Sequence, residues 1–154
     1  MSQLNDDTYY DFDALVVLVD EIDEAAELAS YDVIILGDSG STSADWSGFE
    51  AEIELWVDGG GGLVVTGYGA RQAVCDVATI VAGMLPVACD DAEEEGATIT
   101  VDDPTHPVTD EVPDFTMVSY IHSDTSPTLA VDAAGLALSS DGNWAVAVRD
   151  HGLG

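Results

Sequence analysis

The side chains able to do chemistry are few and widely spaced. Ser39 stands in Gly37-Asp38-Ser39-Gly40, directly after the apolar run Val33-Ile34-Ile35-Leu36. A serine hydroxyl there becomes a nucleophile only with a histidine base and donors for the developing oxyanion. The histidines are His106, His122 and His151. His106, between Pro104 and Pro107, is either a turn residue or a ligand-facing group that would work with a carboxylate. His122 sits two residues before Asp124, with which it could pair, and His151 follows Asp150. Tyr68 is flanked by Gly67 and Gly69 after a third apolar run, with Arg71 close behind. Open α/β sheets bind ligands beyond the carboxyl ends of their strands. Ser39, Tyr68, Arg71 and His106 are therefore the candidate rim of one ligand site. The competing reading makes Ser39, Ser41, Thr42 and Ser43 a plain loop, with Ser43 or Asp45 capping the helix that follows. Tyr68 is then a packed side chain, and Arg71 pairs with a nearby carboxylate instead of orienting an anion.

Acidity limits the possible partners more sharply than any motif. The chain of 154 residues has 31 Asp and Glu against two basic residues, Arg71 and Arg149, for a formal charge of -29. Phosphate backbones and anionic membrane surfaces need Lys or Arg to displace counterions, so both are disfavoured. Self-repulsion on this scale opposes compaction and is screened by salt, which points to a salty environment. The acids cluster at Asp20, Glu21, Asp23 and Glu24, and again at Asp90, Asp91, Glu93, Glu94 and Glu95. Asp90, Asp91 and Glu93 are weak candidates for holding Ca²⁺ or Mg²⁺, since such clusters are oxygen-rich but lack the spacing of a calcium loop; no other cofactor is implied. Cys75 and Cys89 are compatible with one disulfide, although Cys75 in a helix also fits a buried free thiol.

These groups must be positioned by a succession of short elements. Residues 1–12 read as an acidic arm with Tyr9, Tyr10 and Phe12 as anchors, and 13–154 as one domain. Ala14–Val19 reads as a strand buried on both faces, 20–29 as a helix, and Asp32–Gly37 as a second buried strand. Trp46, Phe49, Ile53, Trp56 and Val57 recur at helical spacing, and Gly59–Gly62 end that helix. Leu63–Thr66 is a third strand, and Ala70, Val74, Val77, Ala78, Val81 and Leu85 face one way on a helix stopped by Pro86. This alternation implies a parallel sheet with helices on its faces. Beyond Cys89 an acidic loop leads to Thr98–Val101, a Pro-rich loop and three strand candidates, Met117–His122, Thr128–Asp132 and Trp144–Arg149. The last third is thus β-rich. No apolar run approaches the ~20 residues of a membrane span. Met1–Asp7 has no basic segment followed by an apolar one, as is also true of a processed secreted domain.

Tyr31–Gly37, the amphipathic helix, and Trp56–Gly67 together resemble the class I glutamine amidotransferase-like superfamily, in its trehalose-utilisation (ThuA-like) branch. Asp103–Thr109 with Val112–Phe115 is similar to a downstream segment of that branch, and Ala145–Gly154 to its ending, cut before the last strand. The resemblance implies a flavodoxin-like three-layer sandwich with a mostly parallel central sheet. Active members carry G-x-C-x-G-x-Q at the strand-to-helix elbow. Here that elbow reads Gly67-Tyr68-Gly69-Ala70-Arg71-Gln72 after Thr66, with a phenol where the thiol belongs. A phenol of pKa near 10 is no substitute for a thiolate. The partner His-Pro-Glu has no counterpart, since His106-Pro107 is followed by Val108. Gly37-Asp38-Ser39 also resembles the opening of GDSL esterases, but their D-x-x-H and G-x-N-D blocks are missing.

The expectation is therefore a non-catalytic amidotransferase-like domain, acting as a binding or interaction module of a larger secreted or surface protein. A halophile's cytoplasm is the alternative location. The rivals are a hydrolase of ester or glycan-derived substrates through Ser39 or His106, and a Ca²⁺-binding acidic module. The expected partner is a small molecule or a protein, with no nucleic acid and no membrane insertion.

Overall fold

The computed structural model describes residues 13–18, 21–37, 50–71, 73, 75, 80–87, 92–118, 120–123 and 129–152. Strand β1 (Val33–Leu36) and strand β2 (Gly62–Val65) run parallel, with Ile34 beside Leu63 and Ile35 beside Val64. Both are β-branched-rich tetrads, as the apolar runs required. Between them lies helix α2 (Glu50–Asp58), whose Ile53 and Val57 are buried one turn apart. Helix α1 (Ala25–Leu28) precedes β1, with the Glu24 backbone N–H donating to Glu27 Oε2 at 3.1 Å. After β2 come α3 (Gly67–Arg71) and α4 (Ile80–Met84). Ile22, Leu28, Ile34, Leu36, Ile53, Val57, Ala73, Val81, Met84 and Leu85 form one core, flanked by Tyr31, Trp56, Leu63 and Val65. The sequence expectation of a strand covered on both faces is corrected at β1. Ile34 and Leu36 are buried, while Val33 and Ile35 on the opposite face are each 51% exposed.

The first expected strand is also corrected. Residues 13–18 form no strand, and Leu15, Val16 and Leu18 are exposed. Only Val17 packs against the core. The Leu18 N–H donates to Glu21 Oε2 at 2.8 Å and the Glu21 N–H to the Leu18 carbonyl at 3.0 Å. This local turn takes up backbone groups that a ladder would need. The expected helix over 20–29 shortens to its last part, 25–28.

The C-terminal third is β-rich, as expected. It contains β3 (Ala92–Glu95), β4 (Thr98–Val101), β5 (Phe115–Thr116), β6 (Tyr120–Ser123), β7 (Ala133–Leu138) and β8 (Trp144–Arg149). β3 pairs antiparallel with β6, and the order β5-β4-β7-β8 makes a four-stranded antiparallel sheet. Parallel pairing among the described residues is confined to β1 and β2. A second, smaller core of Ala97, Ile99 and Ala137 sits under Met117, Ala145 and Val146. Two expectations fail here. The acidic stretch before residue 96 contains β3, because a ladder is satisfied by backbone groups whatever the side chains. The candidate Thr128–Asp132 supplies only a bridge from Leu129 to Val87, and the strand begins at Ala133. β7 is rich in small residues because the Trp144 ring lies over it; a Cβ added at Gly135 would stand 2.3 Å from that ring.

Cys75 is disulfide-bonded, which removes the free-thiol reading. Cys89 lies outside the described residues, as does the arm 1–12. No described helix is long and apolar enough to cross a membrane.

Candidate functional site

The turn from β2 into α3 is the best-defined part of the candidate rim. The Thr66 N–H donates to the Leu36 carbonyl at 3.0 Å, extending the parallel ladder one step past both strands. Gly67 then takes φ +47°, a left-handed conformation that L side chains rarely adopt, and the chain turns straight into the helix. The Gly69 N–H closes the turn on the Thr66 carbonyl at 3.0 Å. A Cβ at Gly69 would lie 2.6 Å from the Gly37 carbonyl oxygen and 3.3 Å from that of Leu36. The first turn of α3 is therefore seated directly on the carboxyl end of β1. Two glycines do this work, one by conformation and one by closeness of approach, and Tyr68 is the residue between them. The sequence expected turn-making glycines here, and both serve that purpose.

This seating brings two of the rim's supports together. Gly37 precedes the Asp38–Phe49 segment that carries Ser39, and it touches the elbow that carries Tyr68. Arg71 closes α3 one turn beyond Tyr68 and is half-buried. Ser39 itself, with its rival caps Ser43 and Asp45, lies outside the described residues, and so does the Tyr68 side chain.

His106 belongs to a different structure. Residues 102–111 form a succession of turns fastened to the antiparallel sheet, where the Asp102 and Asp103 N–H groups both donate to the Leu136 carbonyl, at 2.9 and 3.2 Å. The His106 carbonyl accepts from the N–H groups of Thr109 (2.9 Å) and Asp110 (2.8 Å), and its Nδ1 accepts from the Val108 N–H at 3.2 Å. Buried Thr109 donates its hydroxyl to the Asp103 carbonyl. His106 thus sits within a hydrogen-bonded turn. The Asp103 carboxylate in the same run of turns is hydrogen-bonded as well. Asp103 Oδ1 accepts from the Thr105 hydroxyl at 2.7 Å and from the Thr105 N–H at 2.9 Å. The hydroxyl first, and the backbone N–H second, hold this carboxyl below the usual carboxylate range, with neighbouring His106 adding less. A carboxylate so stabilised is a weak proton acceptor. Thr105 and Thr109 are the residues that sequence reasoning missed here. Their signal was the Asp-Pro-Thr spacing, in which an Asp two residues before a Thr favours a side-chain-closed turn.

The other histidines lie elsewhere. His151 Nε2 is 3.4 Å from Asp58 Oδ1, at the end of α2. His122 stands on β6 directly across from Glu93 on β3. Its proposed partner Asp124 lies outside the described residues, as do the metal candidates Asp90 and Asp91. Glu93 is thus a strand residue rather than part of a loop. Among the described residues, no three His, Cys, Asp or Glu side chains are grouped so as to hold a metal ion. In comparisons with known proteins, the chain matches no family model, no curated protein and no solved structure.

Proposed function

We propose that this chain is a non-catalytic binding or interaction module built on an amidotransferase-like, flavodoxin-like scaffold, and part of a larger secreted or surface protein. The observation that carries the reading is the elbow. Gly67 and Gly69 give it a sharp strand-to-helix turn of the kind that carries a nucleophile in such scaffolds, and the residue between them in the chain is Tyr68. A tyrosine at such a corner offers a ring face and a hydroxyl for recognition, but no nucleophile near neutral pH. The ligand would sit where the carboxyl end of β1 meets α3, against Tyr68, Arg71 and the Ser39 segment. A net charge of -29 favours a neutral or cationic ligand, or a basic protein surface, over a polyanion. The disulfide at Cys75 supports an oxidising compartment.

The hydrolase reading separates cleanly from this one. With a p-nitrophenyl ester as reporter, the wild type and Ser39→Ala are expected to give the same background rate. Turnover that Ser39→Ala or His106→Ala abolishes would overturn the proposal in favour of a hydrolase.

A further inference from the structure

The two halves of the molecule meet at the Val87–Leu129 bridge and again at the end of β8, where one of the two basic side chains is used. Helix C-termini leave carbonyls without intrahelical partners. Neither α2 nor α4 has a basic residue in its last turn, and α2 ends on Asp58, a carboxylate at the terminus that least favours one. Both needs are met from β8. Arg149, one of two basic residues in the chain, donates from one guanidinium nitrogen to the Gly83 carbonyl at 2.6 Å and, at 3.5 Å, to that of Leu85. Its Nε is buried, which places the guanidinium inside the contact. Two residues on, His151 reaches Asp58. Gly152 then lies against the same residue so closely that a Cβ there would be 2.4 Å from Asp58 Cα.

We propose that residues 149–152 are a strap closing the seam between the parallel α/β half and the antiparallel half, and that this seam is the first part of the fold to open as salt is withdrawn. The sign follows from range. Repulsion among the acids acts over a Debye length, roughly 10 Å at 0.1 M salt and roughly 3 Å at 1 M, so salt suppresses it strongly. The strap acts at contact range, through the Arg149 bond to Gly83, the 3.4 Å His151–Asp58 contact and the close packing of Gly152, which salt screens less than repulsion between distant acids. Lowering salt therefore raises the force pulling the halves apart while leaving the fastening unchanged. Within each half the opposing force is met by a continuous ladder or an apolar core; across the seam it is met by Arg149, His151 and Gly152, together with the Val87–Leu129 bridge and the Ala130 N–H bond to the Pro86 carbonyl.

Hydrogen–deuterium exchange of the full chain tests this, at about 3 M and about 0.1 M NaCl. At low salt, amides in 50–60, 80–87 and 150–152 are expected to speed up together by about tenfold relative to those of 98–101, 133–138 and 144–148. Arg149→Gln should produce the same pattern at high salt. If that variant fails to fold, Gly152→Ala, which forces the strap off Asp58 and leaves both cores intact, serves in its place. Uniform acceleration across all segments at low salt, or a strap variant that leaves the seam as protected as wild type, would overturn the proposal.

Discussion

The two halves of this molecule reach stability by different means. In the first, β1 and β2 are parallel, so the chain must cross from one to the other through α2, and the gain comes from large aliphatic side chains packed under that crossover. Leu28, Ile53 and Val81 are fully buried there. In the second half, strands pair antiparallel, β7 and β8 through a short turn and the others across longer connections, and the core cluster beneath them is Ala97, Ile99 and Ala137, with Leu136 of β7 also fully buried. Its cluster is smaller than the first, and the β7–β8 ladder and the seating of Trp144 over Gly135 add to it. The comparison shows where a deletion should hurt. A lost methylene is costly where neighbours are large and fixed, and cheaper where a flexible or half-exposed neighbour moves in.

The largest expected effect tests that contrast directly. Ile53→Ala and Ile99→Ala remove the same atoms from positions that are 0% and 2% exposed. Such deletions cost ~2–5 kcal/mol according to how far the site collapses. Ile53 is expected near the top of that range, because α1 and α4 pack against its helix and it belongs to the larger core cluster. Ile99 is expected near the bottom, because pliable, half-exposed Met117 lies against its cluster. Urea unfolding in high salt measures both. Equal costs would mean that the second core is as tightly built as the first.

A smaller pair of opposite sign sharpens the account of the elbow. Gly69→Ala drives a methyl into the Gly37 carbonyl and is expected to cost ~1–3 kcal/mol, the range for overpacking. Gly83→Ala, in α4, meets nothing within 4 Å and should stabilise by ~0.5–1 kcal/mol, because alanine loses less backbone freedom in a helix. Thermal melts of the two variants read the difference. A neutral Gly69→Ala would mean that α3 is free to lift off the end of β1.

How much of this was legible beforehand follows the same division. β1, β2 and β8 were readable as strands because each is a compact apolar run, although the exposed face of β1 was not. The elbow was readable because glycine at a strand-to-helix turn has few other uses. Residues 13–18 misled, because β-branched composition reports only a preference for extended backbone, and the Leu18–Glu21 turn has no apolar signature. β3 and β7 were missed for opposite reasons. One is acidic and the other small-residue-rich, and in antiparallel pairs the partner strand, rather than the strand's own residues, decides. The seam at Arg149 and His151 joins residues 66 and 93 positions apart, beyond the reach of any local pattern.

The smallest effect concerns the turn at His106, which the sequence left open between recognition and structure. Asp103 is held below its ordinary pKa by Thr105 in the folded state. A depressed carboxylate contributes stability in full above its unfolded pKa, near 3.8, and that contribution is lost as pH falls through the lower folded value. Asp103→Asn should therefore lower the melting temperature slightly at neutral pH, and the gap from wild type should close as acid protonates both states of the wild type. Melts between about pH 2 and 7 trace the closure. If Asp103 instead serves as a base toward a ligand, the gap at neutral pH would widen with ligand present. A plain closing gap leaves His106, Thr105 and Thr109 as the fastening of a turn on the second half, and leaves the candidate site to the first.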